Sequence, residues 1–300
     1  MTAARFVARR PAAPGFAALA IAALTALVLA ATLAVAGCAD TRHSIRELLV
    51  GSHPDSESVL LADIYTGALR SYGFPAHTEA APDPVIKLDS GALTVVPGFT
   101  GRVLQLFAPG AAVRSDAQVY RAMVGALPEG IAAGDYTTAA EDKPALAVTQ
   151  PTAKAWGGHD LSELSRNCDG LVVGSITHAS TPSNVSSCRL LNPHEFPDNA
   201  TLFAALQAGH ITAAWTTTAA PDVPADLVVL ADGKPALVQA ENVVPLYRRN
   251  ELTDRQLLAI NEVAGVLDTA ALVEMRRQVK AGADPQAVAD TWLGEHPLGR

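Results

Sequence analysis

The sequence has 300 residues, with 22 Lys and Arg against 30 Asp and Glu, a formal net charge of −8, and 49% hydrophobic residues. That length accommodates one large domain or two lobes, each with its own core. Its acidity repels phosphates, so nucleic acid is not an expected partner.

Residues 1–37 carry Arg5, Arg9 and Arg10 and no acid, then run through Ala, Leu, Val and Ile from Phe16 to Ala36. A basic start followed by an apolar run is the organisation of an export signal. The run ends in Val35-Ala36-Gly37-Cys38, where small residues suit a peptidase pocket and a thiol follows the cut. These four residues resemble a bacterial lipobox. The expectation is a lipoprotein signal peptide over 1–37, a lipid on Cys38 at the outer face of the cell membrane, and a tether over 38–45. A retained spanning helix is the alternative, since about 20 apolar residues cross a bilayer. Losing three of the 22 basic residues leaves 19 against 30 acids, a formal charge of −11.

From Arg46 onward strand and helix patterns alternate. Leu48-Leu49-Val50-Gly51 reads as a buried strand, and Ser56-Glu57 opens a helix with Val59, Ala62, Tyr65, Leu69 and Tyr72 at helical spacing. Strand, polar loop and helix begin an α/β fold. A weak internal repeat follows: Leu88-Asp89-Ser90-Gly91-Ala92-Leu93-Thr94 is echoed by Leu206-Gln207-Ala208-Gly209-His210-Ile211-Thr212. Each copy predicts a helix ending on a left-handed Gly and a strand two residues later. The strands then run to Phe99-Thr100 and Trp215-Thr216. Open α/β sheets bind ligands beyond the carboxyl ends of their strands, so two lobes would set Phe99 and Trp215 facing across a cleft. Coincidence is the alternative, because helix, Gly, strand is a common connection.

Cys168 and Cys188 are expected to form a disulfide outside the cytoplasm, stabilising by about 3 kcal/mol in the chain-entropy model. Two buried thiols are the alternative. Toward the C-terminus, Thr253-Asp254-Arg255-Gln256 fits a capping box before Leu257, Ile260, Val263 and Leu267. Asp268 caps a second helix bearing Leu272, Met275 and Val279, which stops near Gly282; Asp284-Pro285 opens a third with Val288 and Trp292 inward. These read as packing helices without chemistry.

The eight histidines are scattered, and His194-Glu195 lacks the second His of a zinc helix. There is no Gly-x-Ser-x-Gly elbow and no phosphate-cradling Gly loop. No catalytic residue, metal or cofactor is therefore expected.

Val50-Gly51-Ser52, Val96-Pro97-Gly98-Phe99-Thr100-Gly101, the run from Gln239 to Leu252 and Asp290-Thr291-Trp292-Leu293 resemble the OpuAC-like substrate-binding proteins of osmoprotectant ABC importers. The resemblance covers most of residues 46–297 in order, with its poorest stretch over 175–196. It implies an α/β, two-lobed periplasmic-binding-protein fold of type 2 with two crossover strands at the hinge, near 145–149 and 238–246. Lobe 1 would comprise 46–145 and 246–300, and lobe 2 would comprise 146–245. It also implies a monomer that closes on a small osmoprotectant-like solute, of the glycine betaine and choline class, and delivers it to ABC permease subunits.

Family members hold a quaternary ammonium in a box of tyrosines, a cation without conventional donors being met by π faces. The box positions fall on Phe99, near Pro144, on Trp215 and on Glu241. A Lys of the family falls on His53, a Thr on Arg102, and an Arg on Thr181. The implied ligand set is His53, Phe99, Thr100, Arg102, Trp215, Thr216, Glu241 and Asn242, with Arg102 offering a bidentate hold on a carboxylate and the helix opening at Ser56 offering backbone N–H groups. The incomplete box leaves open a different small polar or cationic solute, or a non-transport envelope lipoprotein. A more distant alternative is an extracytoplasmic enzyme.

Overall fold

The computed structural model describes residues 47–190 and 192–299. The expected signal peptide, the Cys38 lipidation site and the tether lie outside them.

In chain order, strand β1 (Leu48–Ser52) leads into helix α1 (Ser56–Ser71), then β2 (Ala76–Ala80), α2 (Pro84–Asp89), β3 (Val95–Phe99), α3 (Thr100–Phe107), α4 (Asp116–Ala126) and β4 (Ile131–Ala133). The chain then crosses to a second sheet. There follow β5 (Pro144–Thr149), α5 (Gln150–Trp156), a 3-10 turn (Leu161–Arg166), β6 (Val173–Ile176), a small hairpin of β7 (Asn184–Val185) and β8 (Cys188–Arg189), β9 (His194–Phe196), α6 (Asn199–Gln207), β10 (Ala213–Thr217) and β11 (Leu227–Val229). It returns through β12 (Val243–Arg248) and finishes in α7 (Asp254–Val266), α8 (Thr269–Lys280) and α9 (Pro285–Glu295).

The two five-stranded sheets are built alike. Their strand orders are β2-β1-β3-β12-β4 and β9-β6-β10-β5-β11. In each, three parallel strands are followed by an antiparallel strand that has just arrived from the other lobe, then by a strand antiparallel to that one. The repeat seen in the sequence is this correspondence, since β3 and β10 hold the same place. Gly91 and Gly209 have φ of 79° and 75°, a conformation in which an L side chain meets its own backbone. Each strand starts four residues after its glycine, two later than expected, because a backbone turn intervenes.

Alternation along the strands packs both faces of each sheet. Val95 and Phe99 enter one cluster with α1 and the three C-terminal helices, while Val96 enters another with α3 and α4. In the second sheet Leu146, Val148 and Trp215 share one cluster, and Ala147 and Ala214 share the opposite one with α6. A period of two distributed over two apolar faces is what a sheet covered by helices requires. The capping box at Thr253 and Gln256 is formed, and Asp268 and Asp284 cap α8 and α9, each such cap being worth about 1 kcal/mol.

Cys168 and Cys188 are disulfide-bonded with Cα atoms 5.4 Å apart, which ties the segment after the 3-10 turn to the β7–β8 hairpin. The passages between sheets fall slightly earlier in the chain than expected. Pro144 already pairs with Thr217 in the second sheet. Val243, Val244 and Pro245, expected in the second lobe, pair with Phe99, Gly98 and Pro97 of the first. The two crossing segments touch directly, through an antiparallel bridge between Glu141 and Asn242 and an Asp142 N–H to Glu241 C=O bond of 2.9 Å.

Candidate functional site

Between the sheets, beside these crossing segments, lies a cavity of about 430 Å³. Its first-lobe wall comes from Glu57 on α1, Arg102 on α3 and Arg276 on α8; Asp142 and Glu241 come from the crossings. The second-lobe wall comes from Pro144, Ile176, Ser180, Thr181, Asn199 at the start of α6, and Trp215, Thr216 and Thr217 on β10. Ile176 and Thr217 end parallel strands, so the cavity sits at the carboxyl edge of the sheet, where such folds bind ligands. A neighbouring cavity of about 640 Å³ shares Arg102, Pro144, Ser180, Thr181 and Glu241 with it, and adds Gln105, Asn184 and Gln239.

Of the eight ligand-set residues, Arg102, Trp215, Thr216 and Glu241 line the main cavity. Trp215 is only 3% exposed and packs into the second-lobe core. Its indole N–H and the Thr216 hydroxyl are buried and find no hydrogen-bond partner among the described residues. Such groups cost free energy unless a ligand or water satisfies them.

The other four do not line it. His53 is exposed and borders a smaller cavity of about 250 Å³ with Ser52 and Phe99. The Thr100 hydroxyl accepts the Asn242 N–H (3.1 Å), and the Asn242 amide donates to the Thr137 C=O (2.9 Å). The Thr100 hydroxyl and the Asn242 amide N–H thus pin the returning chain to the first lobe, while the Asn242 Oδ1 is buried without a hydrogen-bond partner among the described residues. Phe99 was expected opposite Trp215, but the Arg102 guanidinium carbon lies 4.5 Å from its ring centroid and covers it. Strand register explains the mismatch. Phe99 and Thr217 each stand eight residues after their glycine and pair with the first residues of β12 and β5, Val243 and Pro144, whereas Trp215 stands only six after Gly209. Thr217, not Trp215, is the counterpart of Phe99.

Glu241 is also committed locally. Helix α3 has no side-chain cap of its own, and the Glu241 carboxylate accepts the Arg102 backbone N–H at 2.9 Å. The chains run so close there that a Cβ on Gly101 would lie 2.7 Å from the Ala240 carbonyl oxygen. Burial pushes the Glu241 carboxyl up to about 7, against the lowering pull of Arg102. The start of α1 is capped from within, because Asp55 accepts the Ser58 N–H at 2.8 Å, so that N–H is not free for a carboxylate.

An ion-pair network missed in the sequence forms the floor of the cavity. Arg276, expected on a helix without chemistry, is 4% exposed with Nη1 3.1 Å from one Asp142 oxygen and Nη2 donating 3.2 Å to the other. It also donates to the Ala219 C=O (3.0 Å) and lies 3.5 Å from Glu57. Arg102 adds a 3.0 Å contact to the same Asp142 carboxylate from the cleft side. Burial alone would raise the Asp142 pKa, but the charge and hydrogen bonds of Arg276, with lesser help from Thr217 and Arg102, hold it below the ordinary carboxylate value. Arg102 and Arg276 thus balance Asp142 and Glu57. Among the described residues no group of three or more His, Cys, Asp or Glu side chains is placed to hold a metal ion.

The family profile described as the substrate binding domain of the ABC-type glycine betaine transport system, OpuAC, matches residues 46–187 and 189–295. Among solved structures, apo YehZ from Escherichia coli is similar with a TM-score of 0.67 at 20% identity, over 84% of this chain and 99% of that one. A glycine betaine/carnitine/choline ABC transporter structure gives 0.67 at 16% identity, over 83% of this chain and 98% of that one. Lactococcal OpuAC, closed on glycine betaine, gives 0.51 at 13% identity, over 83% and 96% respectively. At these identities the likeness is one of fold. No curated protein matches the sequence.

Proposed function

The chain belongs to the family of substrate-binding domains of ABC-type glycine betaine transport systems, and on that premise we propose that it captures a small osmoprotectant-class solute between its lobes for delivery to a membrane permease. It is a solute-binding transport protein, not an enzyme. Its work is a hinge equilibrium: a solute that touches both lobes at once favours the closed arrangement by its differential affinity for that state.

The observation that carries the reading is the cavity shared by Trp215 and Thr216 from one sheet and by Arg102, Asp142 and Glu241 from the other side. An indole is the best π partner for a cation, and the Asp142 carboxylate supplies negative charge beside it. The buried indole N–H and Thr216 hydroxyl offer donors to the polar end of a zwitterion. Lipidation of Cys38 is part of the same proposal and rests on Val35-Ala36-Gly37-Cys38; it would hold the receptor near its permease at high effective concentration.

Calorimetric titration of the purified protein with choline, glycine betaine, carnitine and proline betaine tests the solute class. Saturable one-to-one binding of at least one of them is expected. Silence with all four, from a protein that melts cooperatively, would remove the osmoprotectant assignment and leave the family function with another solute.

A further inference from the structure

The ring of Phe99 already has a cation over it. Arg102 holds its guanidinium carbon 4.5 Å from the ring centroid, and its Nη2 donates to the Asp142 carboxylate at 3.0 Å. A π face with a carboxylate beside it is the chemistry that recognises a positively charged ligand head. Here it is filled from within the chain.

How the two guanidiniums are held differs. Arg276 is 4% exposed, hydrogen-bonds one Asp142 oxygen, makes an ionic contact of 3.1 Å with the other and lies 5.9 Å from the same ring centroid, so the buried carboxylate keeps a buried counter-ion when Arg102 moves. The Arg102 side chain is 55% exposed, and its side-chain contacts are the ring, the Asp142 carboxylate and a long 3.4 Å approach to the Asp142 carbonyl. A half-exposed ion pair contributes little to stability, and a long flexible side chain can rotate into solvent. The backbone N–H of Arg102 is held separately from the side chain, by the Glu241 carboxylate at 2.9 Å.

Resting on the solute-binding reading above, we propose that Arg102 is a built-in competitor for the ligand's cationic head. Phe99 does not line the main cavity because Arg102, which does, lies over its ring, so a quaternary ammonium that is to reach Asp142 and that ring face must first displace the guanidinium. Arg102 thereby sets the affinity, and it selects against cations too weakly bound to move it. This is the reverse of the role implied by the family resemblance, in which Arg102 grips a ligand carboxylate.

The two roles are separated by one experiment: choline has no carboxylate to grip, so a carboxylate hold predicts no gain on removing Arg102, whereas a competitor predicts tighter binding. Wild type, Arg102→Ala and Arg102→Gln are titrated with choline by calorimetry, at ordinary ionic strength and in high salt, with thermal melts confirming that each variant is folded. Both variants are expected to bind choline about tenfold more tightly than wild type, about 1.4 kcal/mol. The gain persists in high salt, because it comes from vacating a contact site rather than from removing a distant charge. Wild type that binds choline, with variants that bind it equally or more weakly, would overturn the competitor role and leave the solute reading standing. A gain that vanishes in high salt would also overturn it. If wild type and both variants are all silent toward choline and the related osmoprotectants, the competitor role and the osmoprotectant reading fail together.

Discussion

The carboxylate of Glu241, on the segment returning from the second lobe, accepts the backbone N–H of Arg102 at 2.9 Å in the first. The contact caps α3, whose own N-cap residue, Phe99, has no side-chain acceptor. A helix start carries positive partial charge, so the carboxylate suits the place electrostatically. The cap comes from the crossing, so the helix bearing Arg102 is tied to the segment that joins the two sheets.

That burial has a pH signature. The Glu241 carboxyl is raised from 4.5 to about 7 in the folded protein, so the folded state binds its proton more tightly than the unfolded chain does. Stability from this group is fully present below about pH 4.5 and falls as pH rises through about 7, by at most about 3 kcal/mol. Denaturant unfolding of wild type and Glu241→Gln at pH 5 and pH 8 checks it. The wild type is expected to lose stability between the two and the variant to lose measurably less; parallel pH profiles would contradict the assignment.

The Arg276 and Asp142 pair is buried on both sides. Replacing Arg276 by Met leaves Asp142 with the half-exposed Arg102 and the Thr217 hydroxyl. The expected loss is about 3–5 kcal/mol by equilibrium unfolding, and the double replacement Arg276→Met with Asp142→Leu is expected to recover much of it. A single variant within about 1 kcal/mol of wild type would mean that the pair is not the anchor described.

Both ends of the Cys168–Cys188 bridge pack on the second-lobe core, and the hairpin it holds carries Asn184, in the wall of the larger cavity. Ser substitution at both positions is expected to lower stability by about 2–4 kcal/mol. It should also weaken solute binding, while the first-lobe sheet keeps its hydrogen-exchange protection. Uniform loss of protection across both sheets would show that the bridge serves the whole fold instead.

The fold was legible because local and long-range signals agree. The left-handed glycines, the caps at Thr253, Asp268 and Asp284, and the β/α alternation all stand in the linear pattern. The facing aromatics were misread for a reason that was also in the sequence: Phe99 stands eight residues after its glycine and Trp215 six after its own, so they cannot share a register position. Arg276 occupies the inward stripe, four after Leu272 and three before Val279, and a charge there signals a buried partner. The identity of that partner was not legible, because Asp142 is brought to it only by the chain crossing. The Glu241 cap joins residues 139 apart, a separation at which no short motif exists.

The claim that the solute is held in the cleft between the lobes turns on Trp215. The most direct measurement is a paired calorimetric titration of wild type and Trp215→Leu with whichever of the four solutes binds, made well below each protein's melting temperature. Leu retains much of the buried apolar bulk and removes the π face, so the variant is expected to stay folded and to bind at least about tenfold more weakly, matching about 1–2 kcal/mol of cation–π attraction. Equal affinity in the two proteins would put the solute elsewhere.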